Sequence, residues 1–235
     1  MNLHLVIKKV FISFCLLSGC LSFSQEDSDK EYEAEEKSSI LSSVERQKYF
    51  GFSIGYQNPI STGNNFIGSA YSGSSGYDLK IKLYVYKQFF MEYNNSISYF
   101  KVENKELVGN YNKSRIENNF LYIGYEFLPA PGFRLGINAA LFGESDIINS
   151  DFNLGEGIQR DSGTMSSYGL YLTYEIQSHV AFYVDYSFRR IKTNINAPQE
   201  LDSFFKTGSY NTIGFGIMFL LGKRDLVSRF IDQKN

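Results

Sequence analysis

The 235-residue chain has no tryptophan, only four prolines, two cysteines and two histidines. Each shortage excludes something. Both cysteines, Cys15 and Cys20, fall inside an N-terminal apolar segment. The chain beyond that segment therefore has neither a disulfide nor a thiolate metal site. His4 lies in the same segment, which leaves His179 as the one histidine able to act as a general base. No stretch beyond the N-terminal segment reaches the roughly 18 consecutive apolar residues of a membrane helix. A bilayer-spanning form of this chain would have to be a closed barrel. Lys and Arg number 23 against 25 Asp and Glu, so there is no basic footprint for nucleic acid. Aromatics are plentiful: 18 Tyr and 21 Phe are too many for a disordered chain and suit many strands.

Lys8 and Lys9 precede the apolar run Val10–Leu21, which ends in Ser22-Phe23-Ser24. That order of charge, apolar core and small residues is an export signal, expected over residues 1–24. Leu17-Ser18-Gly19-Cys20 also resembles a bacterial lipobox, which would make Cys20 a lipidated N-terminus. The apolar Leu21 and Phe23 after it favour ordinary cleavage near Ser24. Residues 25–48 hold eight acids and four bases and are expected to form an acidic, flexible segment.

Period-two alternation begins at residue 50. In "GYDLKIKLYVYKQFFMEY", residues 76–93, Tyr77, Leu79, Ile81, Leu83 and Val85 alternate with Lys80, Lys82 and Tyr84, and the pattern resumes with Phe89, Met91 and Tyr93. This is a β-hairpin. Six further segments alternate in the same way, near 50–57, 115–128, 133–142, 168–176, 180–189 and 210–221. The connections alternate too. Short turns are expected near 86–88, 129–132 and 177–179, and long polar links near 58–76, 104–112, 143–163 and 193–208. A soluble sandwich has no reason to gather its short turns at one end, whereas an outer-membrane barrel does.

The face opposite the apolar one decides between the two. It carries many Gly, Ala, Ser and Thr, mixed with isolated Lys80, Lys82, Glu92, Arg134, Glu175, Asp185 and Arg189. Bulk water would select long charged side chains there. The lumen of a small barrel needs side chains of mixed size and must pair the charges it encloses. The expected fold is thus all-β, an eight-stranded antiparallel up-and-down transmembrane β-barrel over residues 49–222, followed by a short polar tail over 223–235. The seven charged residues are expected to form a structural polar network in the lumen.

On the export signal, the strand count and the loop alternation, residues 49–222 resemble the small eight-stranded outer-membrane barrels of the OmpA/OmpX type. These include the "outer membrane protein β-barrel" proteins of Bacteroidetes. The resemblance implies a bacterial outer-membrane location with both termini in the periplasm and outer-membrane lipids as neighbours. It also implies external loops able to bind a protein or glycan, and no cofactor. Some barrels of this architecture deacylate or acylate lipid A, and that is the alternative function. It needs a base near a nucleophile at the outer rim, and His179 is expected in a turn at the opposite end. Loop 143–163 carries Glu144, Asp146, Asp151, Glu156 and Asp161, but lacks the spacing of a Ca²⁺ loop. Gly63–Gly76 is Gly/Ser-rich without a following helix in its pattern, so a phosphate cradle is not supported. The expected function is non-enzymatic: envelope structure, partner binding, or an accessory role in export.

Overall fold

The structure, a computed structural model, describes residues 46–150 and 158–232. The expected export signal, Cys20 and most of the expected acidic segment lie outside the described residues. So do Asp151 and Glu156. Among the described residues are eight strands: β1 (Phe50–Ser61), β2 (Tyr71–Tyr86), β3 (Phe89–Val102), β4 (Lys113–Ala130), β5 (Phe133–Ser150), β6 (Ile158–Gln177), β7 (Val180–Thr193) and β8 (Thr207–Leu221). Each pairs antiparallel with its neighbours in sequence, and β1 closes the ring on β8 from Phe50↔Leu221 to Ser61↔Tyr210. The ring is therefore an all-β, eight-stranded up-and-down barrel.

Alternation sorts the side chains as the pleat requires. Ile54, Ile81, Met91, Ile123, Ile137, Leu170, Val184 and Ile217 point outward, while Ser53, Lys80, Lys82, Glu92, Arg134, Ser167, Thr173 and Met218 are buried inside. On β8 the outward apolar run is Ile213–Leu221. At about 3.3 Å per residue and a strand tilt near 40°, it forms a band roughly 20 Å tall. Aromatic pairs across neighbouring strands mark its rims. Tyr56 meets Tyr77 edge-on at 6.0 Å at one rim. At the other, Phe89 meets Tyr125 edge-on at 4.7 Å and Phe133 meets Tyr174 in a tilted pair at 5.0 Å. Each is a register partner as well as a ring contact.

The β2–β3, β4–β5 and β6–β7 turns gather at one end of the ring. Lys87 and Gly132 adopt positive φ there, 52° and 77°, as tight reversals demand. The other end differs from the expected long polar links. Strand pairing runs on through most of 143–163, out to Ser150↔Ile158. A bulge interrupts the alternation where this extension begins. Leu121 pairs with Phe142 and Tyr122 with Ala140, so Leu141 is an extra residue in β5. Leu141 and Phe142 consequently both lie outside, and the inward set moves from even to odd numbers, with Ser145, Ile147 and Asn149 buried.

Three short helices cap this end: α1 (Phe66–Ala70), α2 (Lys105–Val108) and α3 (Asp202–Phe205). Asn65 starts α1, its Oδ1 accepting from the amides of Ile67 and Gly68 at 3.1 and 3.2 Å. The same oxygen accepts from Ser209 N on β8 at 3.2 Å. This pins Phe66, Ile67 and Ala70 into the mouth of the ring, where they join Tyr71, Phe100, Ile116, Phe120, Ile147, Ile191 and Tyr210 in a buried apolar cluster. At the short-turn end, residues 223–235, expected as a polar tail, contain a fourth helix, α4 (Leu226–Asp232).

Candidate functional site

The lumen is the candidate site. Period two puts charged side chains into it from β2, β3, β4, β5, β6 and β7, where a charge is stable only if paired and hydrogen-bonded. Glu126, fully buried, is the hub. Its Oε1 lies 3.0 Å from Lys82 Nζ and its Oε2 lies 3.0 Å from Arg134 Nη1. Tyr171 donates to Oε1 at 2.6 Å and Tyr84 to both oxygens at 2.9 Å. Lys82 also donates to Tyr171 at 2.6 Å and reaches Glu92 at 3.4 Å. Its ammonium stands 4.1 Å from the ring centres of Phe90 and Tyr171.

The chain of pairs continues to the short-turn mouth. Arg134 Nε meets Glu175 at 2.5 Å, and Glu175 in turn meets Arg46 Nε at 3.0 Å. Arg46 is held further by the carbonyls of Ala130 and Phe133, at 2.9 and 2.7 Å, and its own carbonyl accepts from Arg134 at 2.6 Å. Beside it Lys48 donates to the Ser178 carbonyl at 2.6 Å. Burial lowers the Lys48 pKa, the Arg134 charge lowers it further, and Glu175 opposes both. The residues just before β1 thus close the mouth.

Toward the loop end, Lys80 bridges Asp185 and Asp78, the second at 2.8 Å, and Tyr183 donates to Asp78 at 2.9 Å. Arg189 is treated differently. It donates to Gln57 at 2.9 Å and Ser96 at 3.0 Å and lies against the Phe120 and Tyr210 rings. Among the described ion pairs none includes it.

All seven charged residues singled out from the sequence therefore enter the lumen. The structure joins Lys80 with Asp185, Lys82 with Glu92 and Arg134 with Glu175, while Arg189 stands apart. Sequence reasoning missed Asp78 and Glu126, which sit on the same alternating face and were within its reach. It also missed Arg46, for which the acidic segment gave no signal.

Small residues make room for this network. Gly136 pairs with Tyr171, Gly124 with Phe90, and Gly216 with Tyr183. In each pair the ring lies over the glycine, and a Cβ added at Gly136 would sit 2.1 Å from Tyr171 Cζ. Between Lys80, Lys82, Glu92, Asn94 and Tyr122 lies a cavity of about 10 Å³, room for about one water. We expect Gly136→Val to destabilise the barrel by about 2–4 kcal/mol, because Tyr171 must swing off Glu126 and Lys82. Denaturant unfolding from lipid vesicles measures this, and adding Tyr171→Ala should recover part of the loss. An undiminished midpoint for Gly136→Val would mean that the ring does not lie there.

His179 lies in the β6–β7 turn, where Ser178 Oγ is 2.6 Å from its Nδ1. The two are exposed neighbours at the short-turn end. Gly63–Gly76, weighed as a phosphate cradle, supplies α1 and the start of β2 instead.

No protein-family model matches the chain, and no curated protein matches it in sequence. Solved structures do match in shape. The crystal structure of Neisserial surface protein A (NspA) has a TM-score of 0.54 at 11% identity, covering 72% of this chain and 96% of that one. The outer membrane protein OprG from Pseudomonas aeruginosa has a TM-score of 0.50 at 13% identity, covering 76% and 99%. The fold is that of the small outer-membrane β-barrels. At such identities the likeness concerns the fold alone, and the narrower resemblance to OmpA/OmpX or Bacteroidetes proteins does not follow from it.

Proposed function

We propose that the chain is a non-enzymatic, non-conducting barrel of the bacterial outer membrane, with its loop end outside. There the protruding β5–β6 hairpin and the helical caps offer a binding surface to a protein or glycan partner. One observation carries this: the ring is apolar where it faces out and filled with paired charge where it faces in. Water outside would strand the apolar band, and an open pore would leave the lumen charges solvated instead of paired. The short-turn mouth, closed by Arg46 and Lys48, is then periplasmic, as is α4. The alternative, a lipid-modifying enzyme, would need acid–base machinery at the loop end. The position of His179 at the other end favours the non-enzymatic reading.

The protein should fractionate with the outer membrane and run faster on gels before boiling than after, because a closed barrel resists detergent until heated. In planar bilayers it should give no steady conductance. Recovery from the periplasm without detergent would end the membrane assignment, and sustained conductance would end the filled-lumen one.

A further inference from the structure

The last described element has an unmatched face. After β8, Gly222 and Arg224 take positive φ, 74° and 65°, and turn the chain back toward the barrel. Asp225 then starts α4, its carboxylate accepting from Ser228 N at 2.9 Å and Ser228 Oγ at 2.8 Å. Burial works against the ionised form of Asp225. Hydrogen bonds, those from Ser228 foremost and then those from the Lys87 and Asp225 backbone, together outweigh it and hold the carboxyl below the usual carboxylate range. Arg229 lies 4.2 Å above the Tyr49 ring and donates to the Lys223 carbonyl at 3.1 Å, and the helix packs on β2. The helix is thus fixed to the short-turn end by one side.

The other side is apolar and open. Val227, Phe230 and Ile231 are 36%, 61% and 54% exposed, and their i, i+3, i+4 spacing sets them on one face. Lys223 and Arg224 are exposed immediately before the helix, while Asp225 is buried within its cap. The stripe begins shortly after Leu221, the last outward apolar residue of β8, itself 48% exposed at the band's edge. An apolar stripe that follows the band's edge in the chain and is flanked by exposed cations is complementary to a lipid surface carrying negative headgroups.

We propose that α4 is an interfacial anchor, with Phe230 and Ile231 entering the acyl boundary of the leaflet at the short-turn end and Lys223 and Arg224 meeting its anionic phosphates. This rests on the membrane reading of the barrel, and the test separates the two. The full-length protein is reconstituted in vesicles of phosphatidylethanolamine with phosphatidylglycerol. A nitroxide is placed in turn at Ile217, Phe230, Ile231 and Ser228. At 230 and 231, collisions with a water-soluble nickel chelate should fall at least about threefold below those at an exposed loop site such as Glu200. Oxygen collisions should rise toward those at 217. The variant carrying Lys223→Gln and Arg224→Gln should regain nickel access at 230, as should vesicles without phosphatidylglycerol.

If 217 is open to oxygen while 230 and 231 collide freely with nickel, the anchor is wrong and the barrel stands. If 230 and 231 are shielded from both relaxants, protein covers the stripe and the anchor is again wrong. If 217 itself is closed to oxygen, the lipid-facing band fails first.

Discussion

Glu126→Leu should destabilise the barrel by about 3–5 kcal/mol, as expected when one partner of a buried ionic cluster is removed. Glu126 is fully buried, and two cations and two phenol hydroxyls converge on it. Without it Lys82 retains Glu92 at the longer distance of 3.4 Å, and Arg134 retains Glu175. The hydroxyls of Tyr84 and Tyr171 lose an acceptor they cannot replace from water. Adding Lys82→Met should restore a large share, since the buried cation goes with its partner. The double-mutant cycle should give a coupling of about 1–3 kcal/mol. Glu126→Gln, which keeps an acceptor but not the charge, should fall between. Unfolding by urea from vesicles measures all three. The informative failure is a Glu126→Leu variant within about 1 kcal/mol of the parent. It would mean that water reaches the lumen and solvates the stranded cations, and the proposal of a non-conducting barrel would fall with the network.

What the residues made legible depends on which physical signal each element carries. The β2–β3 hairpin was readable because outward-facing and lumen-facing residues differ in polarity at every step, Ile81 against Lys82 and Met91 against Glu92. Beyond the apolar band that contrast disappears. On β5 Glu144 and Asp146 face out while Ser145 and Asn149 face in, so both faces are polar and the strand reads as a loop. The Leu141 bulge compounds this by shifting parity, which no local pattern announces.

The site divides in the same way. Lys80, Lys82 and Arg134 stood out as charges amid small residues, and Asp78 and Glu126 lay on the same face and follow from the same rule. The partnering of Gly136 with Tyr171, or of Gly124 with Phe90, is a property of register. Register is set by hairpin geometry and ring closure, not by either strand alone. Arg46 lies furthest from sequence inference: its role comes from where the chain enters the barrel, under Ala130 and Phe133.

Ile81→Arg tests the outward face, and a depth series on one hairpin makes the test specific. Ile81 is 39% exposed without lipid, lies midway along the outward run from Tyr77 to Val85, and is flanked by Phe52 and Tyr93 in register. If that face meets hydrocarbon, an Arg there should cost about 2–4 kcal/mol, and one near the interface only about 0–1. Asn95 supplies the interfacial control, because it follows Tyr93 outward on β3 and already bonds Asn119 at 2.6 Å. Asn95→Arg should therefore be nearly silent while Ile81→Arg is not. A protein core would also penalise Ile81→Arg, so cost alone does not identify lipid; a nitroxide does. At residue 81 it should collide with oxygen and be shielded from a nickel chelate. At Lys82, 1% exposed inside the ring, oxygen access should be lower. A probe at 81 shielded from both relaxants would place that face against protein, and the barrel would lose its claim to the membrane.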